Sequence, residues 1–214
     1  MAISPITTIS KILKNLAEER PVFHSEMDFQ LALAWCWREM FPHLQFRLEY
    51  PLDSSSNKRC DIAILQNDRI VMAIELKYLT EELEYKNKGE LFKLKAQSAQ
   101  LVRRHGVLKD VERMESFLER TPEAQASVIV ITNRSIYWRG SVKGTADEEF
   151  DIQEGTIVTG VRNWKGEDKK FKKAKGPVNI RGKYKMEWQD YSNVKRKFGL
   201  FRYLHVPIQQ PKTW

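Results

Sequence analysis

Three charged residues lie on two short segments that have the composition of β-strands. Asp61 lies in the segment 59–65, and Glu75 and Lys77 lie in the segment 70–78. Because the side chains of a strand alternate between its two faces, Glu75 and Lys77 share one face. A carboxylate and an ammonium group thus project side by side from a strand that is otherwise mostly apolar.

The polar link between the two segments predicts a β-hairpin. If the loop consists of the three residues from Asn67 to Arg69, Asp61 lies opposite Glu75 with both side chains on the same face. A two-residue loop would break this parity. The facing pair of carboxylates therefore depends on the length of the loop.

Two facing carboxylates repel each other unless one is protonated or a cation lies between them. Two oxygen ligands, together with water and a phosphate oxygen, suit Mg²⁺. Lys77 beside the metal would orient an attacking water or stabilise charge that develops on a phosphate. The alternative is an ordinary surface ion pair between Glu75 and Lys77, with Asp61 as an unrelated acid near a turn.

The composition predicts a folded protein of one domain. The chain has 214 residues, of which 42% are hydrophobic and 30% are charged. Two cysteines cannot form a disulfide framework or a four-cysteine zinc site. No run of about 18 apolar residues occurs, so we expect no membrane-spanning helix. The low cysteine count, together with a start that lacks the pattern of a secretory signal, predicts a reducing, cytoplasmic setting.

Positive charge is concentrated near the C-terminus. Residues 161–214 contain 15 Lys and Arg against 4 Asp and Glu, whereas the preceding 160 residues have a small excess of acids. Such a cluster attracts phosphate backbones. We therefore predict nucleic-acid contacts for five lysines of this segment, Lys169, Lys170, Lys172, Lys173 and Lys175. The alternative is a solvated lysine-rich loop without a partner.

Sequence patterns predict alternating helices and strands. Helices are expected at 6–19, 25–40 and 81–120, the last with a break at His105-Gly106, and strands at 46–50, 59–65, 70–78, 127–132, 184–188 and 201–208. The order strand, helix, strand around 81–120 suggests a parallel pair of strands joined by a crossover.

Asp61, a spacer of thirteen residues and the tripeptide Glu75-Leu76-Lys77 resemble the motif of the PD-(D/E)xK nuclease superfamily. Cys60 stands where that motif has proline. The order helix, three strands, helix, strand also resembles the core of this superfamily. The resemblance implies an α/β restriction-endonuclease-like core, a mixed β-sheet flanked by helices, at 20–135 of a single domain 1–214. Residues 136–214 would be a basic extension with late strands.

The resemblance also implies roles for individual residues. Asp61 and Glu75 would bind a divalent metal together with the Leu76 carbonyl, and Lys77 would be catalytic. Glu26 resembles the acid on the first helix of many members, and as a further catalytic residue it would assist the metal site directly or through water. Its alternative role is a favourable charge in the first turn of a helix.

Further residues resemble a nucleic-acid-contacting element on the helix that follows the motif. Gln97, Gln100 and Arg104 have helical spacings that put them on one side, although exposed glutamines are also ordinary helix residues. The charged residues of the segment 109–115 look like a solvated face and are assigned no chemistry.

These observations predict a nuclease that uses Mg²⁺, with Mn²⁺ as a substitute. We expect an endonuclease acting on DNA, with RNA left open as a substrate. The alternative is a catalytically silent module that binds nucleic acid or a partner protein. Cutting both strands of a duplex usually requires two active sites, so a homodimer is compatible with the prediction.

Overall fold

The described part of the molecule is a mixed α/β structure around a six-stranded sheet. The computed structural model describes residues 5–52, 58–140, 144–165 and 175–210. Their helices are α1 Pro5–Glu19, α2 Glu26–Met40, α3 Gln100–Arg120 and α4 Ile136–Arg139. Their strands are β1 Gln45–Pro51, β2 Arg59–Gln66, β3 Arg69–Leu79, β4 Leu83–Asn87, β5 Glu90–Leu94, β6 Gln125–Thr132, β7 Ile157–Arg162, β8 Val178–Lys185, β9 Trp188–Asn193 and β10 Leu200–Pro207.

The main sheet has the strand order β1-β2-β3-β6-β10-β9. Strands β3 and β6 are parallel, and the other neighbouring pairs are antiparallel. Because α3 lies between β3 and β6 in the chain, this parallel pair confirms the predicted crossover. The predicted α/β class and the mixed sheet flanked by helices are also confirmed.

Helices cover both faces of the sheet. Ile62, Ile74 and Leu76 pack with α1 and α2 on one face. Ala73 and Val128 pack with α3 and with the β7–β8 hairpin on the other face. Full burial of a large aliphatic side chain contributes about 1.5–3 kcal/mol, so the alternation along β3 firmly fixes which residues face α3.

The hairpin of β2 and β3 has the register that the sequence analysis assumed. Ile62 pairs with Ile74. The next facing positions along the two strands are those of Asp61 and Glu75. The register therefore brings the backbones of these two acidic residues next to each other.

The loop of this hairpin differs from the expected one. It has two residues, Asn67 and Asp68, with φ angles of 50° and 60°. Two successive positive φ angles are typical of a type I′ turn, which matches the twist of antiparallel strands. A register shift after Ile64 leaves Val71 unpaired. This bulge compensates for the shorter loop, so the predicted parity is kept.

The prediction of a helix over 81–120 is wrong for its first part. Strands β4 and β5 form a second hairpin there, around Lys88 and Gly89 with φ angles of 47° and 88°. Helix α3 begins at Gln100 and continues through Gly106 without the predicted break. Gln97 therefore precedes the helix and does not share a helical face with Gln100.

The part of the chain beyond residue 136 completes the main sheet. Strands β9 and β10 extend it next to β6, and the β7–β8 hairpin packs on α3. The described strands of the predicted extension 136–214 thus belong to the same core as β3. Of the helices in the described ranges, none combines the length and apolar character needed to cross a bilayer.

Candidate active site

The C-terminal half of β3 carries two of the predicted site residues. Glu75 and Lys77 both reach toward α3, where Glu75 contacts Arg113 and Lys77 contacts Asp110. Glu75 is almost completely buried, with 1% of its surface exposed. Lys77 is partly exposed. The alternation of β3 therefore places both side chains on the face that α3 covers.

Asp61 joins this centre from the neighbouring strand. Its carboxylate Oδ2 accepts a hydrogen bond of 2.5 Å from the backbone N–H of Leu76. The backbone pairs of β2 and β3 end at Ile62 and Ile74, so the carboxylate acts as acceptor beyond the last pair. The backbone carbonyl of Asp61 accepts a hydrogen bond of 2.5 Å from Gln30 Nε2. Asp61 is thus held by both its side chain and its backbone.

A chain of charged contacts connects β3 to α3. Nζ of Lys77 lies 3.0 Å from Oδ2 of Asp110 and donates a hydrogen bond of 2.8 Å to the Leu76 carbonyl. The guanidinium of Arg113 donates a hydrogen bond of 2.9 Å to Oδ1 of Asp110 and also pairs with Glu75. Acidic and basic groups therefore alternate across the centre.

Glu26 reaches the same end of β3 from the first turn of α2. Ser25 begins this helix as its N-cap, accepting a hydrogen bond from the backbone N–H of Asp28. Oε2 of Glu26 accepts a hydrogen bond of 2.8 Å from the backbone N–H of Tyr78. The structure thus brings this predicted acid to the residue that follows Lys77.

Burial and like charges make the two central carboxyl groups difficult to ionise. Burial raises the pKa of Asp61 to about 6, although the hydrogen bond from the Leu76 N–H and the charge of Lys77 oppose the rise. Burial, followed by the charge of Asp110, raises the pKa of Glu75 to about 9 against the opposing effect of Arg113. Both carboxyl groups therefore bind protons more tightly than free side chains do, chiefly because burial disfavours their charged forms.

For Lys77, the effect of neighbouring charges on the pKa exceeds the effect of burial. Burial acts to lower the pKa of Lys77, but the carboxylates of Asp110 and Glu26 outweigh it and raise the pKa overall. Lys77 is therefore an ammonium group at neutral pH. It can donate a hydrogen bond or provide positive charge. Because its nitrogen has no free lone pair, it cannot act as a general base.

The donor chemistry of the centre fits a small divalent cation. Oε1 of Glu75 is buried without a hydrogen-bond partner, and Asp61 adds a second carboxylate. Mg²⁺ is bound through one or two carboxylates with water completing its coordination. Within the described ranges, no group of three or more His, Cys, Asp or Glu forms a metal cage. The predicted third ligand, the Leu76 carbonyl, is engaged by Lys77.

The two predicted glutamines have different surroundings. Gln97 donates a hydrogen bond of 3.1 Å from Nε2 to the carbonyl of Tyr78. It thus lies beside the same peptide segment that Glu26 contacts. Gln100 directs its amide at the guanidinium of Arg134. Only Gln97 of this pair borders the centre.

Arg104 lies in the interior. Only 2% of its surface is exposed, and its guanidinium forms an ion pair of 2.6 Å with Asp147 and a hydrogen bond of 2.8 Å to the Ile136 carbonyl. These contacts connect α3 to the segment before the 3₁₀ turn Glu148–Phe150. A buried, paired guanidinium is not available to nucleic acid on the surface, so the predicted role of Arg104 is replaced by a structural one.

One of the five predicted lysines belongs to the described structure. Lys175 is exposed, and its carbonyl accepts a hydrogen bond of 2.6 Å from Trp164 Nε1. The next carbonyl, that of Gly176, lies 2.8 Å from Nε2 of His105 on α3. Lys175 is thereby held close to α3. The other four, Lys169, Lys170, Lys172 and Lys173, lie outside the described residues.

A cleft opens beside Lys77. It has a volume of about 480 Å³ and separates α3 from the segment at Lys175. Its lining includes Lys77, Asp110, Arg103, Lys109 and Lys175. Lys77, whose side chain is 24% exposed, therefore lines a surface depression in which basic side chains predominate.

Sequence reasoning missed Asp110 and Arg113. The charged residues of 109–115 were expected to form a solvated face, but Asp110 is 7% exposed and Glu115 only 3%. Glu115 accepts hydrogen bonds from the backbone N–H groups of Arg181 and Gly182 in β8. The expectation is wrong for Asp110 and Glu115, because β3 and β8 pack against them, whereas Lys109, Glu112 and Arg113 remain partly exposed.

Comparison with known proteins gives no relative to assist the assignment. The chain matches no protein-family model, no curated protein and no solved structure.

Proposed function

We propose that this protein is a metal-dependent nuclease that hydrolyses phosphodiester bonds in nucleic acid, with DNA as the expected substrate. One observation carries the proposal: the carboxyl groups of Asp61 and Glu75 are largely buried beside the charged Lys77, and Lys77 lines a basic cleft. Groups with strongly shifted pKa values cluster at functional sites.

The order of elements also supports the proposal. Helix α2, strands β1 to β3, helix α3 and strand β6 follow the order of a restriction-endonuclease-like core, with the β4–β5 hairpin inserted before α3. We propose this fold on that order and on the motif formed by Asp61, Glu75, Leu76 and Lys77. Function is inferred from the site, because one fold can serve many activities.

Asp61 and Glu75 are the proposed ligands of Mg²⁺, for which Mn²⁺ would substitute. The bound metal would supply positive charge that stabilises the negative charge developing on the phosphate. Because Glu75 has a raised pKa, its proton must leave before its oxygens can act as metal ligands. Metal binding should therefore strengthen as the pH rises.

The remaining residues of the site hold and orient the reacting groups. Lys77 is a hydrogen-bond donor to the phosphate, and Asp110 positions its ammonium group from α3. Glu26 holds the Tyr78 backbone, and Gln97 holds the carbonyl of the same residue. Together they fix the end of β3 from which Lys77 projects.

A binding module without catalysis is the second candidate. It is favoured by the pairing of Lys77 with Asp110 and of Glu75 with Arg113, which partly neutralises both groups without a metal. Such a module would bind nucleic acid and leave its phosphodiester bonds intact. The two candidates therefore differ in whether cleaved nucleic acid is produced.

The test is cleavage of plasmid and single-stranded DNA in Mg²⁺, with EDTA as the blank. Glu75→Gln and Lys77→Met should abolish cleavage, whereas Glu123→Gln and Lys11→Met should retain it. Glu123 is an exposed residue just before β6, and Lys11 is exposed on α1. Binding by the wild type without cleavage in Mg²⁺ or Mn²⁺ would refute the nuclease and support the binding module. Full activity of Glu75→Gln would refute the proposed centre.

A further inference from the structure

Two clefts lie end to end along helix α3. The first, of about 480 Å³, opens on Lys77 and is bounded by Lys175. The second, of about 410 Å³, lies between α3, Lys58 and strand β8. Lys109 and Asp110 line both clefts. The two depressions therefore adjoin at the position that flanks the proposed catalytic centre.

One face of α3 forms the floor of both clefts. The residues of this face that line the clefts recur at intervals of three and four positions, which is the spacing of one side of a helix. They are Arg103, Gly106, Lys109, Arg113, Ser116 and Arg120. At a rise of 1.5 Å per residue, the face is roughly 26 Å long. We call this surface the α3 groove. Its length equals about seven to eight base-pair steps of duplex DNA at 3.4 Å per step.

Positive charge predominates along the α3 groove. Among its described lining residues, eight are Lys or Arg and two are acidic: Lys58, Lys77, Arg103, Lys109, Arg113, Arg120, Lys175 and Arg181 against Asp110 and Glu112. At least four of these cations form ion pairs within the protein: Lys77 with Asp110, Lys109 with Glu112, Arg113 with Glu75 and Asp110, and Arg181 with Glu115 and Glu119. The remaining excess of positive charge suits a polyanion that follows the length of the helix.

We infer that the α3 groove binds the sugar–phosphate backbone of the substrate and guides it past Lys77. This inference deepens the proposed nuclease function and rests on it. In the cleft at Lys77, the charged side chains are those of Lys and Arg, apart from Asp110. The one aromatic ring of that lining, His105, stacks on Trp164 and contacts the Gly176 carbonyl. Lys and Arg on phosphates fix position without reading bases, so binding is independent of sequence.

Gly106 allows a specific test of the proposed path of the phosphates along the α3 groove. It lies between Arg103 and Lys109 on the floor of the first cleft, and apart from its chain neighbours and the backbone of its own helix, no described heavy atom lies within 4 Å of the point where its Cβ would be. A side chain at this position would extend into the cleft without displacing protein atoms. Gly106→Glu therefore places a carboxylate in the proposed path of the phosphates.

The experiment measures binding of fluorescent oligonucleotides of about 20 nucleotides by anisotropy, without divalent metal, so that no cleavage occurs. Single-stranded and duplex probes of several sequences form separate arms. Gly106→Glu and Arg103→Glu should each weaken binding at least tenfold. Their matched controls, Asn15→Glu and Lys11→Glu, introduce the same charge changes at exposed positions of α1, on the opposite face of the sheet, and should change the Kd less than twofold. Far-ultraviolet circular dichroism checks the folding of each variant.

The salt dependence gives a second readout. Loss of one phosphate contact in Arg103→Glu should reduce the slope of log Kd against log salt concentration by about one for duplex probes. Equal affinities across sequences would support backbone recognition. A strong preference for one sequence would overturn it.

Different outcomes would refute the binding role of the α3 groove and the nuclease function. If cleavage occurs and the groove variants bind like their controls, the α3 groove is refuted and the nuclease stands. If the groove variants lose binding but the wild type never cleaves, the groove stands and the nuclease is refuted. Absence of binding to every probe would refute the groove.

Discussion

Nζ of Lys77 lies 3.0 Å from Oδ2 of Asp110, and this contact connects the strand that carries the proposed motif to the helix that covers it. Only 10% of the Asp110 side chain is exposed, so the interaction is largely shielded from water. Charge pairs interact more strongly when solvent is excluded. Asp110 is therefore placed to fix both the position and the protonation state of Lys77.

The first prediction concerns Asp110 as a positioning residue. Asp110→Asn should lower kcat roughly 10- to 100-fold, about 1.4–2.7 kcal/mol, because Lys77 loses its charged partner. The alkaline limb of the pH–rate profile should move to lower pH, because Asp110 helps to raise the pKa of Lys77. Steady-state cleavage kinetics between pH 6 and about 11 would measure both effects.

Asp68→Asn is the matched control for this variant. Asp68 is exposed in the turn between β2 and β3, where its positive φ angle also suits asparagine. It should keep the wild-type profile. An unchanged pH profile in Asp110→Asn would contradict the positioning role, even if the rate fell.

The second prediction concerns stability and pH. The pKa of Glu75 is raised from its ordinary value of 4.5 to about 9, so the folded protein holds this proton more tightly than the unfolded chain does. The resulting stability is fully present below pH 4.5 and is lost as the pH rises through about 9. Because glutamine does not ionise, Glu75→Gln does not lose this stability as the pH rises. At pH 9 without metal, the variant should be more stable than the wild type by on the order of a few kcal/mol.

Urea denaturation in EDTA at several pH values measures this difference. The two proteins should converge near pH 5, and Mg²⁺ should narrow their difference at pH 9 by stabilising the ionised wild-type site. Glu123→Gln should follow the wild type throughout. Parallel pH profiles of wild type and Glu75→Gln would mean that burial does not raise this pKa.

The third prediction concerns the buried ion pair between Arg104 and Asp147. Arg104→Ala should lower the free energy of unfolding by about 3–5 kcal/mol, because it leaves the carboxylate of Asp147 buried without its partner. The double variant Arg104→Met with Asp147→Leu should recover most of the loss. Chemical denaturation measures both. Unchanged stability of Arg104→Ala, combined with weaker DNA binding, would restore the surface role that sequence spacing suggested.

The central residues of the site could be predicted from strand periodicity. Glu75 and Lys77 share a face because side chains alternate along β3, and this requires only that the strand be recognised. The pairing of Asp61 with Glu75 required the register as well. The expected loop was one residue too long, and the unpaired Val71 cancelled that error. A bulge has no clear sequence signature here, so this agreement was not deducible from the loop alone.

The β4–β5 hairpin has a turn signal in the sequence. Lys88-Gly89 stands between two segments with alternating apolar residues, and both residues have positive φ angles. A glycine at the second position of a two-residue loop is typical of type I′ hairpins. The many Glu, Lys and Leu residues nearby are good helix formers and obscured this signal.

Asp110 and Arg113 could not be assigned from sequence. Charges spaced three apart on a helix are typical of a solvated face. The burial of Asp110 and the contacts of Arg113 with Glu75 and Asp110 result from the packing of α3 on β3, a strand distant in the chain. Only tertiary packing identifies these charges as part of the centre.

The most direct test of the account is Mn²⁺ binding measured by calorimetry at pH 8, with no nucleic acid present. The wild type should bind Mn²⁺, and both Asp61→Asn and Glu75→Gln should weaken binding at least tenfold, while Asp68→Asn and Glu123→Gln should leave it unchanged. Undiminished binding in both Asp61→Asn and Glu75→Gln would contradict the proposal that these two carboxylates hold the metal.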